Sequence, residues 1–245
     1  MDYRCYRFAM KDWFCCALGA VCGGGLLAWL FYQSVYGMAL SVFLFFFFCR
    51  RYAKKRKEKR QEQLLLQFRD GMQAVASALL AGYSMENAWR EAERELRKLH
   101  GENTDMVCEF AKMNAAVRMN QPLEQELQDF ADRSGCEDIE SFAEVFSFAK
   151  RSGGDFVGII QTAVLRISGK IEIEREIATA VAGKKLEGRI MNGMPLFILA
   201  YLNLTSGDFL ELLYGNVLGV VVMTAALAAY AGAIRLSEKI LDIRI

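Results

Sequence analysis

The sequence predicts an all-α, polytopic membrane protein with a cytoplasmic six-helix bundle between two transmembrane helix pairs. The 245-residue chain contains only two prolines and is rich in residues that favour helices. Long uncharged segments lie towards both ends of the chain, and charge is concentrated between them. In the charged region, apolar residues recur at the spacing of helices that bury one face, and no strand-like alternation occurs.

The first uncharged segment covers residues 13–49 and contains no Asp, Glu, Lys or Arg. A single helix of this length would measure about 55 Å, whereas the hydrocarbon core of a bilayer is about 30 Å thick. Two spans, Trp13–Tyr32 and Val35–Cys49, remove the mismatch. A cleaved signal peptide is the alternative, but a second apolar stretch follows at once and favours uncleaved spans. Gly19 and Gly23 have the GxxxG spacing that permits close helix contacts in lipid, although glycines also occur by chance in membrane helices.

A second pair of spans is predicted within residues 190–234. Residues 190–207 carry no formal charge, and residues 212–234 form another uncharged run. The short link between them holds acidic residues and no Lys or Arg, as expected of a segment outside the cytoplasm.

Basic residues are concentrated in the segments that we assign to the cytoplasm. The polybasic segment, residues 50–61, carries eight Lys and Arg and directly follows the first pair of spans. Such a charge excess favours the cytoplasmic side, and the same residues could also bind anionic lipid. The N-terminal residues 1–12 and the C-terminal residues 235–245 are basic as well, so that both termini are predicted to be cytoplasmic.

Residues 62–189 are predicted to form the cytoplasmic bundle and its junction with the membrane. At its centre is a helical hairpin, in which Gly82 ends one helix and Ser84 caps the next. Four more helices follow, and residues typical of helix ends mark them: Pro122 begins the fourth helix, Ser134 and Gly135 end it, Gly153 and Gly154 end the fifth, and Asp155 caps the sixth. In the junction, residues 171–189 contain good helix formers and no proline, so the sixth helix is expected to run on toward the third span. Gly183 and Gly188 are expected to interrupt it, as bends before the membrane or, alternatively, as loose linker residues.

A turn pattern repeats three times along the bundle. A residue that tolerates left-handed geometry is followed by one or two others and then by an apolar helix start. The three copies are Gly82–Tyr83–Ser84–Met85, Asn120–Gln121–Pro122–Leu123 and Gly154–Asp155–Phe156.

No catalytic chemistry is apparent in the sequence. Phosphate-binding loops, dinucleotide-binding glycine patterns, nucleophile elbows and zinc-protease motifs are absent. One histidine, His100, and seven cysteines without a CxxC pair argue against a zinc site or a disulfide framework. The acidic clusters at residues 124–129 and 137–140 are typical of solvated helix faces, with divalent-cation binding as the alternative. We therefore expect neither catalytic residues nor a cofactor, and no nucleic-acid partner.

Three landmarks of the sequence resemble the type II secretion system F domain family. They are the helix–AGYS–helix unit, RSGGDFVGIIQTA at 151–163 and LEGRIMNGMP at 186–195. Within this family the chain is most similar to the inner-membrane platform proteins of Tad (tight adherence) pili. The resemblance covers residues 64–245 and rests on the order of the landmarks. The turn residues that match the family motifs are Gly82, Ser84, Gly153, Gly154, Gly188, Arg189 and Pro195; where Asn120 stands, the family usually has glycine.

The resemblance implies a multi-pass platform in the bacterial cytoplasmic (inner) membrane. Such a platform couples a separate hexameric ATPase to pilin subunits, and it assembles with itself or with a paralogous platform protein. The energy must come from another protein, because this chain has no nucleotide-binding motif. A subunit of a membrane transporter or channel is the alternative, but such proteins usually carry ionisable groups within their spans, and these spans carry none.

Overall fold

The computed structural model describes residues 3–4, 10–31, 39–153, 155–205 and 217–241, and it is all-helical over these residues. The all-α prediction is therefore confirmed for the described part of the chain. Gly154 and the links between the predicted spans of each pair lie outside the described residues. The helices are α1 (Met10–Phe31), α2 (Ala39–Leu80), α3 (Met85–His100), α4 (Asp105–Arg118), α5 (Leu123–Ser134), α6 (Glu137–Ser152), α7 (Phe156–Thr205) and α8 (Val217–Leu241).

The chain divides into two compact units, which we describe separately. The bundle unit contains residues 1–7 and 54–173, and the apolar unit contains residues 8–53 and 174–245. The bundle unit is built from the C-terminal part of α2, the whole of α3 to α6 and the N-terminal part of α7, which are the six predicted bundle helices in the predicted order.

Large aromatic side chains fill the core of the bundle unit. Trp89 of α3 stacks on Phe110 of α4 at 5.5 Å, and Phe68 of α2 packs edge-on against Phe142 of α6 at 5.3 Å. Gly71 of α2, a neighbour of Phe110, contributes to the same core through its lack of a side chain. A Cβ at Gly71 would lie 2.8 Å from the Phe110 ring, so that the absence of a side chain lets α4 approach α2 closely.

The turns of the bundle unit alternate between its two ends. The distal end carries the turns that follow α2, α4 and α6. The proximal end carries the turns that follow α3 and α5. The segment of α2 at which the bundle unit begins lies at this same end. Arg60 of α2 forms a bidentate ion pair with Asp105 at the start of α4, with both N···O distances 2.7 Å. Gln61 donates a hydrogen bond to the Ser134 carbonyl at the end of α5 (3.0 Å).

The apolar unit contains α1, α8, the start of α2 and the end of α7. Leu30 and Phe31 of α1 are buried with Met223 of α8, and Leu196 of α7 packs against them. By length and composition, one helix among the described residues could cross a membrane, Leu218–Ser237 in α8. A shorter apolar stretch, Cys16–Leu27, lies in α1.

Helix α7 differs from the prediction, because it runs without interruption through the whole junction. The expected interruptions at Gly183 and Gly188 are wrong, and Arg189 and Pro195, which were expected to mark turns, also lie inside this helix. Glycine and proline disfavour a helix interior by about 1 and 3 kcal/mol. Ending and restarting the helix would instead leave four backbone groups at each new end without helical partners. The continuous helix avoids that loss.

Candidate functional site

Each of the three turns at the distal end contains a residue with positive φ. The angle is 87° at Gly82, 62° at Asn120 and 74° at Gly153. Left-handed backbone costs most side-chain-bearing residues about 1–2 kcal/mol, and glycine and asparagine are the residues that best tolerate it. The first two copies of the predicted repetition thus have left-handed backbone at the predicted residue. Gly154, the predicted residue of the third copy, lies outside the described residues, and its neighbour Gly153 has the positive φ.

The helix starts that follow these turns are capped differently. The Asp155 carboxylate accepts a hydrogen bond from the backbone N–H of Gly158 at 3.1 Å, which confirms the predicted cap of α7. Ser84 occupies the N-cap position of α3, but its side chain makes no capping hydrogen bond, so the predicted side-chain cap is wrong. Its hydroxyl is exposed, and water can replace the missing partner. Pro122 directly precedes α5 and is not its first helical residue.

A cleft of about 800 Å³ opens at the distal end, where the three repeated turns meet. Met85, Leu123 and Phe156 line it, and each is the first helical residue after one of the turns. Leu79 and Phe146 also line the cleft and come from α2 and α6. Residues with equivalent positions in the repeat therefore converge on one apolar surface.

The rim of the cleft is acidic. Glu86, Glu124 and Asp155 line it together with a single cation, Lys150. Glu124 and Lys150 form an ion pair at 2.5 Å. Burial alone would raise the pKa of Glu124, but the hydrogen bond and charge of Lys150 outweigh it and lower that pKa below its ordinary value. Since Lys150 is already paired, the rim keeps an excess of negative charge.

Exposed apolar side chains lie close in sequence to residues that line the cleft. Leu80 is 66% exposed, Tyr83 50% and Met119 77%, and all three lie in or beside the turns of the distal end. Contiguous apolar surface with a polar rim is typical of a protein interaction site. The distal end can therefore bind an apolar segment that carries positive charge.

A smaller groove of about 370 Å³ lies between α6 and α7. Phe142, Ile159 and Ala163 line its base. Asp138, also part of its lining, pairs with Lys170 at 2.7 Å. Asp155 and Arg166 add one charge of each sign to the lining, and we assign the groove no chemistry.

The predicted acidic clusters are used in ion pairs between helices. Asp129 of α5 accepts hydrogen bonds from Lys112 and Arg133, each at 3.0 Å. Among the residues that the structure describes, no group of three His, Cys, Asp or Glu side chains is arranged to hold a metal ion. His100 contacts Asp70 of α2 at 2.9 Å, which ties the end of α3 to α2.

A buried ion pair at the proximal end was not predicted. Glu109 of α4 is only 4% exposed, and its two carboxylate oxygens accept hydrogen bonds from Arg133 of α5, both at 2.8 Å. Tyr3 donates a third hydrogen bond to Glu109 at 3.0 Å. The sequence does contain a signal for Glu109, because it lies between Met106 and Phe110 on the apolar stripe of α4, where a charged residue must find a partner.

The described structure shows no close packing against the GxxxG glycines. Apart from its chain neighbours and the backbone of its own helix, a Cβ placed at Gly19 or Gly23 would have no described atom within 4 Å. A close membrane-helix contact at these positions stays a prediction.

No family model, curated protein or solved structure matches the chain.

Proposed function

We propose that this protein is a non-catalytic inner-membrane platform of a Tad/type IV-like pilus or a type II-like secretion assembly. In this role it couples a separate cytoplasmic ATPase to the extraction and polymerisation of pilin subunits. The observation that carries the proposal is the distal cleft, on which the three repeated turns of the bundle converge. Residues of two of the landmarks that resemble the platform family, Ser84–Met85 and Asp155–Phe156, lie in or beside it.

The multi-pass arrangement is supported by the surface of the apolar unit. In the last part of α7, large apolar side chains are exposed along one broad face of the helix, and the segment carries no formal charge on any face: Ile190, Met191, Met194, Phe197, Ile198, Tyr201 and Leu204. Only 11% of the apolar window in α8 is buried within the protein. A helix that is apolar all round and not covered by protein is expected to face lipid. We therefore place both of these helices in the membrane, together with α1 and the start of α2.

The occupant that we assign to the distal cleft is a basic, apolar segment of the ATPase. The apolar lining offers a place for large side chains, and the carboxylates of Glu86 and Asp155 offer partners for Lys or Arg. Complementary charge of this kind steers the encounter of two proteins and selects the partner, while the apolar contacts supply most of the affinity.

The experiment that tests this function removes the apolar contacts without changing the core. Tyr83→Ser and Met119→Ser, both in turns that contribute residues to the cleft, are combined in the full-length protein. Leu165→Ser serves as the matched control because Leu165 is 73% exposed on α7 and belongs neither to the cleft nor to its turns. We expect the double variant to lose co-purification with a secretion-class ATPase, identified by mass spectrometry, and to lose pilus or secretion output. The control should retain both.

Membrane insertion and the melting temperature should be the same in all three proteins, because the changed side chains are exposed. Normal output and normal ATPase binding in the double variant would contradict the proposed docking site. If the unaltered protein binds no secretion-class ATPase and its deletion leaves pili and secretion unchanged, the platform function itself is wrong.

A further inference from the structure

The N-terminal segment of the chain packs into the bundle unit. Tyr3 is 2% exposed, and its ring contacts Phe130 of α5 edge-on at 6.4 Å. Its hydroxyl donates a hydrogen bond to Glu109 of α4 at 3.0 Å. Its backbone N–H donates another to the carbonyl of Arg133 at 3.0 Å. The ring of Tyr3 thus packs against α5, and its hydroxyl and backbone N–H are hydrogen-bonded to α4 and α5.

Further contacts tie the same segment to α2 and α6. The guanidinium of Arg60 lies 4.8 Å from the centre of the Tyr3 ring, within the range of a cation–π interaction. Arg4 forms an ion pair with Glu140 of α6 at 3.2 Å. A Cβ at Gly135 would lie 3.0 Å from the Arg4 side chain, so the turn after α5 leaves the space that this residue occupies.

Tyr3 completes the buried polar cluster. Without the tyrosine ring, the Glu109–Arg133 pair would face the space that Tyr3 now fills, and Phe130 would lose an aromatic neighbour. Burial raises the pKa of the Tyr3 hydroxyl, and the neighbouring Glu109 charge raises it further, so the hydroxyl stays protonated and remains a donor. A buried aromatic residue whose hydroxyl and backbone N–H are both hydrogen-bonded is a strong anchor.

We propose that Tyr3 anchors the N-terminal segment to the proximal end of the bundle. Because Arg4 and Lys54 then belong to one folded unit, both lie on the same side of any membrane that the chain between them crosses. If residues 8–53 enter a membrane, they cross it an even number of times. This inference uses the membrane location proposed above, but it does not depend on the ATPase or on pili.

The stability of the full-length protein in detergent tests whether Tyr3 anchors the N-terminal segment. Tyr3→Ala should lower the melting temperature by on the order of 10 °C, because it empties a buried aromatic site. Tyr3→Phe, which removes only the hydroxyl, should cause a smaller decrease. Tyr83→Ala is the control, since Tyr83 is a half-exposed tyrosine at the opposite end of the bundle. Equal effects of Tyr3→Ala and Tyr83→Ala would overturn the proposal.

Cross-linking tests the contact without relying on stability. In a variant without native cysteines, Arg4→Cys is combined with Glu140→Cys or, as a control, with Glu124→Cys at the distal end. A short, membrane-permeant bismaleimide should join the first pair in intact cells and leave the second unjoined. Absence of a cross-link in the first pair, or equal cross-linking of both pairs, would overturn the proposed anchoring by Tyr3.

Sidedness provides a third test. Arg4→Cys should be protected from an impermeant maleimide in intact cells, as should a cysteine at Asn103 in the exposed turn after α3. Reaction of one position but not the other would place them on opposite sides of the membrane and would overturn the proposal. Loss of ATPase binding would leave all three results unchanged, so this inference and the proposed function can fail separately.

Discussion

At the scale of single residues, Asp155 and Ser84 occupy equivalent positions but contribute differently. Asp155 accepts a hydrogen bond from the N–H of Gly158, whereas the Ser84 side chain caps nothing. We expect Asp155→Ala to lower the free energy of unfolding by about 1 kcal/mol, and Ser84→Ala to change it by less than about 0.5 kcal/mol. Denaturant unfolding of the purified protein measures both. Equal losses would contradict the assignment of the caps.

The buried carboxylate of Glu109 predicts a pH dependence of stability. Burial alone would raise its pKa, but the hydrogen bonds and charge of Arg133 and the Tyr3 hydroxyl outweigh burial and hold the pKa below the ordinary value of 4.5. Because the folded-state pKa is lowered, this group stabilises the protein above about pH 4.5, and the contribution is lost as the pH falls through the folded-state pKa.

We therefore expect Glu109→Gln to lower the melting temperature at neutral pH, by an amount that shrinks as the pH falls below about 4.5 towards the lower folded-state pKa, at which Glu109 is protonated in the folded protein as well. Melting curves of the variant and the unaltered protein between pH 7 and pH 3 give this difference. Glu95→Gln, on the exposed face of α3, is the control and should differ little at any pH. A constant difference for Glu109→Gln over the whole range would contradict the assigned role of the ion pair.

Residue types predicted some of these roles and could not predict others. Glu109 could have been singled out, because a charge on an apolar stripe requires a buried partner. Its partner Tyr3 could not, since 106 positions separate the two residues and only the folded chain brings them together. Ser84 shows the opposite case, in which a residue favoured at a cap does not use its side chain there.

At the scale of helices, the bundle was predictable because each helix has an apolar stripe and ends at a turn residue. The continuity of α2 and α7 was not. Helix α2 joins the second predicted span, the polybasic segment and the first bundle helix, and α7 passes through Gly183, Gly188 and Pro195. Changes in charge and isolated glycines mark where a chain is expected to pass between membrane and water. They do not break the backbone hydrogen bonds of a helix.

A continuous α7 gives the junction a testable mechanical role. It runs from Phe156, which lines the cleft, to Thr205. Under the proposed function, four flexible residues (Gly-Ser-Gly-Ser) inserted after Ala182 should abolish pilus or secretion output, because they break a stiff connection. Four helix formers (Ala-Glu-Ala-Ala) at the same place should preserve more output, because the helix can continue through them.

Pilus or secretion output is compared at equal amounts of inserted protein. Equal output from the two insertion variants would remove the stiffness of α7 from the mechanism. In that case the bundle would act only as a docking site.

At the scale of the whole molecule, charge distribution and periodicity sufficed to predict an all-helical chain with a six-helix bundle between apolar segments. The repeated turns also suggested a common role, but not their meeting place. The alternation of helix direction brings the turns after α2, α4 and α6 to one end, and side-chain packing then turns Met85, Leu123 and Phe156 towards one cleft. Such convergence depends on tertiary structure and cannot be read from spacing alone.

The sidedness of the chain tests the central claim most directly, because a platform must present its bundle to the cytoplasm. Single cysteines replace Ser206, at the end of the uncharged segment 190–207 and next to the predicted external link, and Asn103, in the turn after α3, in a protein without native cysteines. Intact cells are treated with an impermeant maleimide. The account predicts that the Ser206 position reacts at once and that the Asn103 position reacts only after the membrane is permeabilised. Reaction at Asn103 in intact cells would contradict it.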